Sequence, residues 1–451
     1  MWNKLCGKVL IEYLKELEHH KIAYFILRNY QGLPLENTAK DIDIVVEPKQ
    51  VKVAYRLLRE VFSNNDLEYY DEFRTSKMIC MHGMSIKNNI GIHIDLLQGL
   101  NIKGYELEKF DKMYDHTQEY RGMVVLEDKY EAFWLYICKL FGQKRPIVKL
   151  EYQEKISNLL KNNSDFFIEE LSKRVSKSYL QRVKSYILTK DYDVILNDYK
   201  QLNKEIKINV RYRSPIKTLL NRIQFLLEKL ERIVFRYNKY SRTIGMIAPD
   251  GTGKSSLLKE IKNSLNYYYV SENKCRSYHF RPTIVPNLNE MGQKIKITKE
   301  SDNVTDREQI QQSGPIISLI RIIYYSMDYI VGWRKQIRVD VHYDKYSVFD
   351  RYSYDMIVDP KRSKIKLPYW VRRFFVALTP KPKVMFCLVA NPETIYGRKQ
   401  ELSLIEIERQ LGEYKKLKKV YPNIHFLDAE KSINVLCDEA MKIILDNYTK
   451  Q

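Results

Sequence analysis

The sequence predicts an α/β chain. Its C-terminal part reads as a parallel sheet with flanking helices, its N-terminal part as a smaller α/β unit, and the stretch between them as helical. Three observations carry this reading. After residue 241 the short, β-rich apolar runs RTIGMIA, YSVFD and KVMFCLVA alternate with helical segments, as in a parallel sheet covered on both faces. Before residue 128 the strand-like runs IAYFILRN, DIDIVVE and NIGIHIDLLQG are mixed with helical ones. Between 129 and 240 there is no strand signal. A chain of 451 residues exceeds what one core ordinarily fills, so the blocks 1–128, 129–240 and 241–451 are the expected domains.

Composition narrows the function classes. With 44% apolar and 12% aromatic residues, a disordered chain is excluded. The formal net charge of +20 favours anionic partners such as nucleotides, phosphorylated sugars, nucleic acid or an acidic membrane face. A soluble protein from a lysine-rich proteome has the same charge. No motif that reads nucleic acid is present, so no specific nucleic-acid partner is expected. The six cysteines, Cys6, Cys80, Cys138, Cys275, Cys387 and Cys437, form no C-x-x-C pair, which fits free thiols in a reducing compartment. The histidines, among them His19, His20, His93 and His279, show no metal-ligand spacing and read as ordinary surface or core residues. The opening MWNKLCGKVLIEYLKEL carries Glu12 and Glu16 on an amphipathic pattern and reads as a helix, not a signal peptide. LIRIIYYSMDYIVGW is interrupted by Arg321 and Asp328 and reads as too short to span a bilayer. A cytoplasmic location is expected.

In the first block, a helix is followed by the strand IAYFILRN and the turn-rich loop YQGLPLENTAK. The strand DIDIVVE, the helix KQVKVAYRLLREVF and the strand NIGIHIDLLQG come next. Side chains alternate along a strand, so Asp41 and Asp43 share a face, with Asp95 expected on a neighbouring strand. Three such carboxylates could hold two Mg²⁺ ions for nucleotidyl transfer. The pattern resembles the nucleotidyltransferase fold, with its G-S turn, h-D-h-D-h strand and third carboxylate strand. One departure stands out: the first strand leads into Arg28-Asn29, where the triphosphate grip of that fold needs small residues. D-x-D alone recurs by chance, mostly in surface loops.

The second block closes on a long helix. Ser214 and Pro215 make an N-cap and a first-turn proline. Apolar residues then recur at Ile216, Leu219, Leu220, Ile223, Leu226, Leu227, Leu230, Ile233 and Val234, opposite the basic Lys217, Arg222, Lys229, Arg232 and Arg236. Such a helix could lie on an anionic membrane. More often the stripe packs against a neighbouring domain. A peripheral membrane contact and a homodimer both stay open.

The third block opens on a strand, the loop APDGTGKSS and a helix. Gly251 and Gly253 permit backbone conformations that side chains forbid. Successive N–H groups of Asp250, Gly251, Thr252 and Gly253 could then cradle phosphate oxygens at a helix N-terminus. Lys254 would reach the β- and γ-phosphates of ATP. Ser255, followed by Ser256, would place a hydroxyl on Mg²⁺. The pattern G-x-x-x-x-G-K-[ST] fails only at Ala248, one methyl larger than glycine, and phosphate binding is expected to survive.

PDGTGKSS, with Asp250 ahead of the glycine, resembles the phosphate loop of thymidylate kinase, a P-loop nucleoside monophosphate kinase. VFDRYSYD at Val348 to Asp355 resembles that family's D-R-[YFH] motif, and FCLVANPETIYGRKQE its strand, P-E turn and lid. The resemblance covers roughly 241–451 and is closest to the thymidylate-kinase-like proteins encoded with bacterial surface-polysaccharide genes. It implies a P-loop NTPase fold and an ATP- and Mg²⁺-dependent phosphotransferase. Asp350 would hold Mg²⁺, Arg398 and Lys399 would close over the phosphates, Asp250 would face the acceptor's sugar, and Arg351 and Arg281 would anchor an acceptor phosphate. Tyr354, Asp355, Asp359 and Arg362 extend the motif beyond what thymidylate kinases require. The acceptor pocket is therefore expected to be altered, and the acceptor to be a nucleotide or sugar-type compound that need not be thymidylate. The polar segment KITKESDNVTDREQIQQSGP reads as mobile, and NYYYV at Asn266 to Val270 as a buried strand. Two rival functions remain: nucleotidyl transfer by the first block, and a regulatory protein that holds ATP without transfer.

Overall fold

A computed structural model describes residues 2–37, 39–143, 148–234, 242–284, 312–342 and 345–449. Most of the polar segment read as mobile, 296–311, and Arg236 lie outside them. The fold is α/β, in two compact units, Met1–Glu231 and Arg232–Gln451.

The first unit is built on β1 (Tyr24–Ile26), β2 (Ile42–Val46), β3 (Glu68–Arg74), β4 (Met78–Ser85), β5 (Ile90–Leu97), β8 (Thr117–Tyr120) and β9 (Met123–Leu126), in the order β3-β4-β5-β2-β1-β9-β8. A separate hairpin joins β6 (Leu100–Ile102) and β7 (Tyr105–Glu108). Helices α1 (Lys4–His19) and α2 (Val51–Asn64) cover one face. Asn3 starts α1 by accepting hydrogen bonds from the N–H groups of Leu5 and Cys6. Its buried Cys6, Val9, Leu10, Tyr13, Leu14 and Leu17 follow helical spacing and meet Ile42, Ile44 and Val46 of β2.

The helical segment belongs to this unit. After the short α3 (Phe110–Tyr114), which lies between β7 and β8, it comprises α4 (Asp128–Leu140), α5 (Leu150–Asn162), α6 (Ser164–Ser172), α7 (Lys177–Leu188), α8 (Tyr192–Asn197), α9 (Tyr199–Arg213) and α10 (Pro215–Val234). In α4, Phe133, Trp134, Leu135, Tyr136 and Ile137 are consecutive and all buried, the mark of a central helix. It shares its core with Phe25, Leu27 and Val45 on the second face of the sheet. Asp43, two residues from Val45, lies on that same face.

Helix α10 starts at Pro215 as expected, but it is held by its polar side. Lys217 pairs with Glu106 at 2.7 Å, Arg222 donates to the Lys103 carbonyl at 2.6 Å, and Glu228 accepts from the Ser76 N–H at 3.0 Å. Its apolar stripe, from Ile216 (74% exposed) to Leu230 (56%), is exposed.

The second unit has five parallel strands, β10 (Thr243–Ile247), β11 (Cys275–His279), β12 (Tyr346–Asp350), β13 (Val384–Val389) and β14 (Ile424–Asp428), in the order β11-β12-β10-β13-β14. From β10 the chain crosses to β11 and returns to β12 on one side, then crosses from β12 over β10 to β13 on the other, so the winding reverses at β10. The loops at the carboxyl ends of these strands therefore flank a crevice where ligands of such sheets bind. Helices α11 (Lys254–Tyr268) and α18 (Ile433–Thr449) pack together on one face. The other carries α12 (Pro315–Gly332), α15 (Tyr369–Leu378) and α17 (Leu404–Val420), with Tyr329, Phe349, Tyr352 and Tyr414 in its core. Shorter helices are α13 (Arg338–His342), α14 (Asp355–Val358) and α16 (Pro392–Arg398).

Two expectations are corrected. NYYYV is the end of α11, not a strand. Leu257, Ile261, Leu265 and Tyr268 keep helical spacing through it, and the buried Tyr269 meets the Tyr346 hydroxyl at 2.6 Å. Helix α12 also runs on through a π-helical turn at Trp333–Ile337, so that Pro315–Asp340 is 26 residues long, enough by length and composition to cross a membrane. Here Ile322, Tyr329, Trp333 and Ile337 are buried in the second unit's core, and the buried Asp328 binds Arg281.

Candidate functional site

The loop between β10 and α11 has the backbone its glycines suggest. Gly251 and Gly253 both lie in the left-handed region, at φ +89° and +86°. A β-carbon on Gly251 would stand 2.9 Å from the Ile395 carbonyl oxygen and 3.0 Å from the Lys399 β-carbon. One on Gly253 would meet nothing within 4 Å among the described residues. Gly251→Ala is therefore expected to lower the thermal unfolding midpoint more than Gly253→Ala, which carries only the left-handed cost of roughly 1–2 kcal/mol. Equal midpoints would show that the Ile395–Lys399 turn gives way freely. Ala248 is buried and is not among the positive-φ residues, so its methyl group causes no backbone strain. Thr252 fastens the loop by donating to the Pro249 carbonyl at 2.9 Å.

Lys254 opens α11 and folds back over the loop. Its Nζ donates to the carbonyls of Ala248 at 2.9 Å and Pro249 at 2.6 Å, and lies 3.3 Å from Asp250 Oδ1. Burial, reinforced by Arg351 and Arg362, pulls its ammonium down to about 7. Ser255 and Ser256 stand exposed in the first turn of the helix, where N–H groups lack intrahelical partners.

A cluster of charges faces this loop. Arg351 forms an ion pair with Asp250 through Nη2 and bonds Asp355 Oδ2 through Nη1 at 3.0 Å. Arg362 reaches the other oxygen of Asp250 at 3.1 Å. Three cations thus converge on one carboxylate. Arg351 and Asp355 are buried, and Arg351 sits at φ +75°, an uncommon conformation for a long side chain that concentrates at functional sites. Its N–H is held by the Met246 carbonyl at 2.9 Å, which fixes the bend at the end of β12. Asp355 and Arg362 are the residues that the motif reading left outside the site.

Other predicted residues are placed less centrally. Asp350 ends β12, partly exposed, with His279 Nδ1 at 3.6 Å from its carboxylate. Lys399 lies beside Gly251. Arg398 is exposed and donates to the Ala429 carbonyl at 3.1 Å. Arg281 bonds the Tyr324 hydroxyl at 3.0 Å and the fully buried Asp328 at 2.9 Å. The N–H groups of Thr283 and Ile284 satisfy the same carboxylate at 3.0 and 2.9 Å. This network fixes the chain after β11, and Arg281 is spent largely on it.

In the first unit, Asp43 and Asp95 are direct partners on parallel strands β2 and β5. Oxygens of Asp41, Asp43 and Asp95 come within 4.8 Å of one another, so the residues fit a divalent cation. Arg28, however, forms an ion pair with Asp43. Burial lifts the Asp43 carboxyl to about 6 against the pull of Arg28. Burial also pushes Asp95 up, but hydrogen bonds from His93 and Cys80 outweigh it and leave that carboxyl below its ordinary value. The Asn29 N–H, which follows β1, donates to the buried Glu131 at 2.9 Å, and Gln31 to the same carboxylate at 2.8 Å. The turn that would grip a triphosphate thus serves a carboxylate. A cavity of about 750 Å³ adjoins it, lined by Gln31, Asp128, Glu131 and Lys155 among others.

No family model and no curated protein matches the chain. Among solved structures it is similar to the thymidylate kinase from Ehrlichia chaffeensis, at 16% identity and a TM-score of 0.30, over 45% of this chain and 97% of that one.

Proposed function

We propose that the unit Arg232–Gln451 is an ATP-dependent phosphotransferase. It moves the γ-phosphate of ATP to a phosphate or hydroxyl on a nucleotide or sugar-type acceptor. One observation carries the proposal: Lys254, Arg351 and Arg362 converge on Asp250 at the carboxyl end of a parallel sheet, beside a left-handed glycine loop. Phosphoryl transfer needs fixed positive charge around the migrating group and a positioned acceptor. Lys254 supplies the charge on the ATP side. The two arginines, held in place by Asp250 and Asp355, present planar N–H donors suited to an acceptor phosphate. The arginines would exchange Asp250 for that phosphate, and the freed Asp250 carboxylate can accept a hydrogen bond from an acceptor hydroxyl. Mg²⁺ would be held by Ser255 and Asp350 and would neutralise charge on the ATP phosphates. Arg398 and Lys399, on the segment following Ile395, are the lid cations of this reading. Free thiols at all six cysteines and dependence on ATP suit the cytoplasm, which we propose as its location.

The second reading is nucleotidyl transfer by Asp41, Asp43 and Asp95, favoured by the register of Asp43 with Asp95. Arg28 on Asp43 and Glu131 on the Asn29 N–H weigh against it.

The test uses the full chain with ATP, Mg²⁺ and a panel of nucleoside monophosphates and sugar phosphates, with ADP release as readout. Release stimulated by one class of acceptor supports the proposal. ATP binding with no member of the panel raising ADP above the rate with water would overturn it.

A further inference from the structure

Beyond the phosphate loop, a second group of donors lies on the first unit's sheet. Neither cysteine nor histidine spacing reveals it, because its members come from two strands. β4 and β5 are antiparallel partners, with Cys80 directly opposite Asp95 and His82 directly opposite His93. Each pair of residues is two apart on its own strand, so all four side chains share a face. The ligand atoms of Cys80, His93 and Asp95 come within 4.8 Å of one another. His93 Nε2 stands 2.9 Å from Asp95 Oδ1. The rings of His82 and His93 are 3.9 Å apart, inclined at 30°. All four residues are buried.

We propose that Cys80, His93 and Asp95 form a binding site for a borderline-soft divalent cation, Zn²⁺, with the His82 ring packed against His93 beside it. The donor set argues for the choice of ion. Sulfur and imidazole select zinc over the hard, all-oxygen cations, and one carboxylate is a common third ligand. Zinc–ligand bonds of about 2.0–2.3 Å put donors roughly 3.5 Å apart. Side-chain shifts of about an ångström therefore bring these atoms into place without moving the strands. The antiparallel ladder supplies the rigid frame that holds ligands from two strands together. Binding releases the Cys80 thiol proton and replaces the hydrogen bond between His93 and Asp95 with two metal bonds. Asp95 also belongs to the carboxylate group with Asp41 and Asp43. The zinc ligand set is distinguished from that group by its sulfur and nitrogen.

The test treats the full chain with a chelator, removes it, and titrates zinc against a chromophoric competitor. The same apo-protein is then loaded with Co²⁺. One equivalent of tightly bound zinc, and a thiolate-to-cobalt charge-transfer band in the near ultraviolet, are expected. Cys80→Ser should abolish the band and weaken zinc binding by more than about 100-fold, the upper range for outer-shell changes. His93→Gln should weaken it similarly. Asp41→Asn, which removes a neighbouring charge but no zinc ligand, should weaken zinc binding far less than Cys80→Ser. No stoichiometric zinc, no thiolate band in the unaltered protein, or full affinity in a folded Cys80→Ser variant would each overturn the proposal. The cobalt spectrum of the unaltered protein decides the question even where a variant fails to fold.

Discussion

On the proposed phosphotransfer, Lys254→Ala is expected to lower the transfer rate by at least about 10²–10³-fold, the range for removing one group aimed at transition-state charge, and to leave the fold intact. The lysine sits within 2.9 Å of two loop carbonyls and 3.3 Å of Asp250, so its loss removes charge from the cradle without stranding a deeply buried partner. The same residue makes ATP binding depend on pH. With its ammonium pulled down to about 7 by burial and by Arg351 and Arg362, Lys254 is mostly neutral at pH 8. A bound triphosphate favours the charged form and raises that value. Binding must then draw in a proton at pH 8, and little or none at pH 6. ATP affinity should fall about tenfold per pH unit above pH 7 through this linkage. Calorimetric titration in buffers of different ionisation heat measures the uptake directly. Uptake at pH 8 that persists in Lys254→Ala would assign the proton to another group.

Arg351→Ala is the second large effect, and here both stability and activity fall. Its guanidinium is the partner of Asp355, a carboxylate with no exposed surface whose other bond is from the Tyr414 hydroxyl at 3.3 Å. Removing one side of a buried pair ordinarily costs about 3–5 kcal/mol, because the remaining charge is stranded. Alanine also keeps the strain of φ +75°. Arg351→Gly should therefore be more stable than Arg351→Ala by roughly 1–2 kcal/mol, while both are inactive. The double change Arg351→Ala with Asp355→Ala should recover stability without recovering transfer, which separates the structural role from the chemical one. Urea unfolding midpoints and initial rates report the two. An Arg351→Ala variant as stable as the parent would contradict the buried pair.

What the sequence showed and what it hid follow a physical division. The loop at Gly251 to Ser255 was legible because its determinants are local: glycines for positive φ, a lysine and a hydroxyl at the helix start. Asp41 and Asp43 were legible as carboxylates sharing a face because strand alternation is also local, although the direct pairing of Asp43 with Asp95 needed the structure. Arg362 was hidden because its partner Asp250 is more than a hundred residues away. Asp328 had a readable signal that went unused. A carboxylate inside an apolar helix needs a buried partner, and Arg281 is that partner.

β4 was missed because MICMHGMS has little β-branched character. Its Gly83 lies directly against Phe62 and Leu67, where a β-carbon would stand under 3 Å from both side chains. Missing β4 also concealed Cys80 and His82. The β6–β7 hairpin was missed likewise, and with it the acceptors that hold α10 by its polar side.

The central claim is that this chain transfers the terminal phosphate of ATP from the Lys254 loop. The most direct measurement follows ATP labelled in turn at the γ- and the α-phosphate, with the full chain, Mg²⁺ and the acceptor panel. The account predicts γ-label on an acceptor in step with ADP, lost in Lys254→Ala, and no transfer of α-label. Transfer of α-label with release of pyrophosphate, unaffected by Lys254→Ala and abolished by Asp43→Ala, would contradict it and place the chemistry in the first unit.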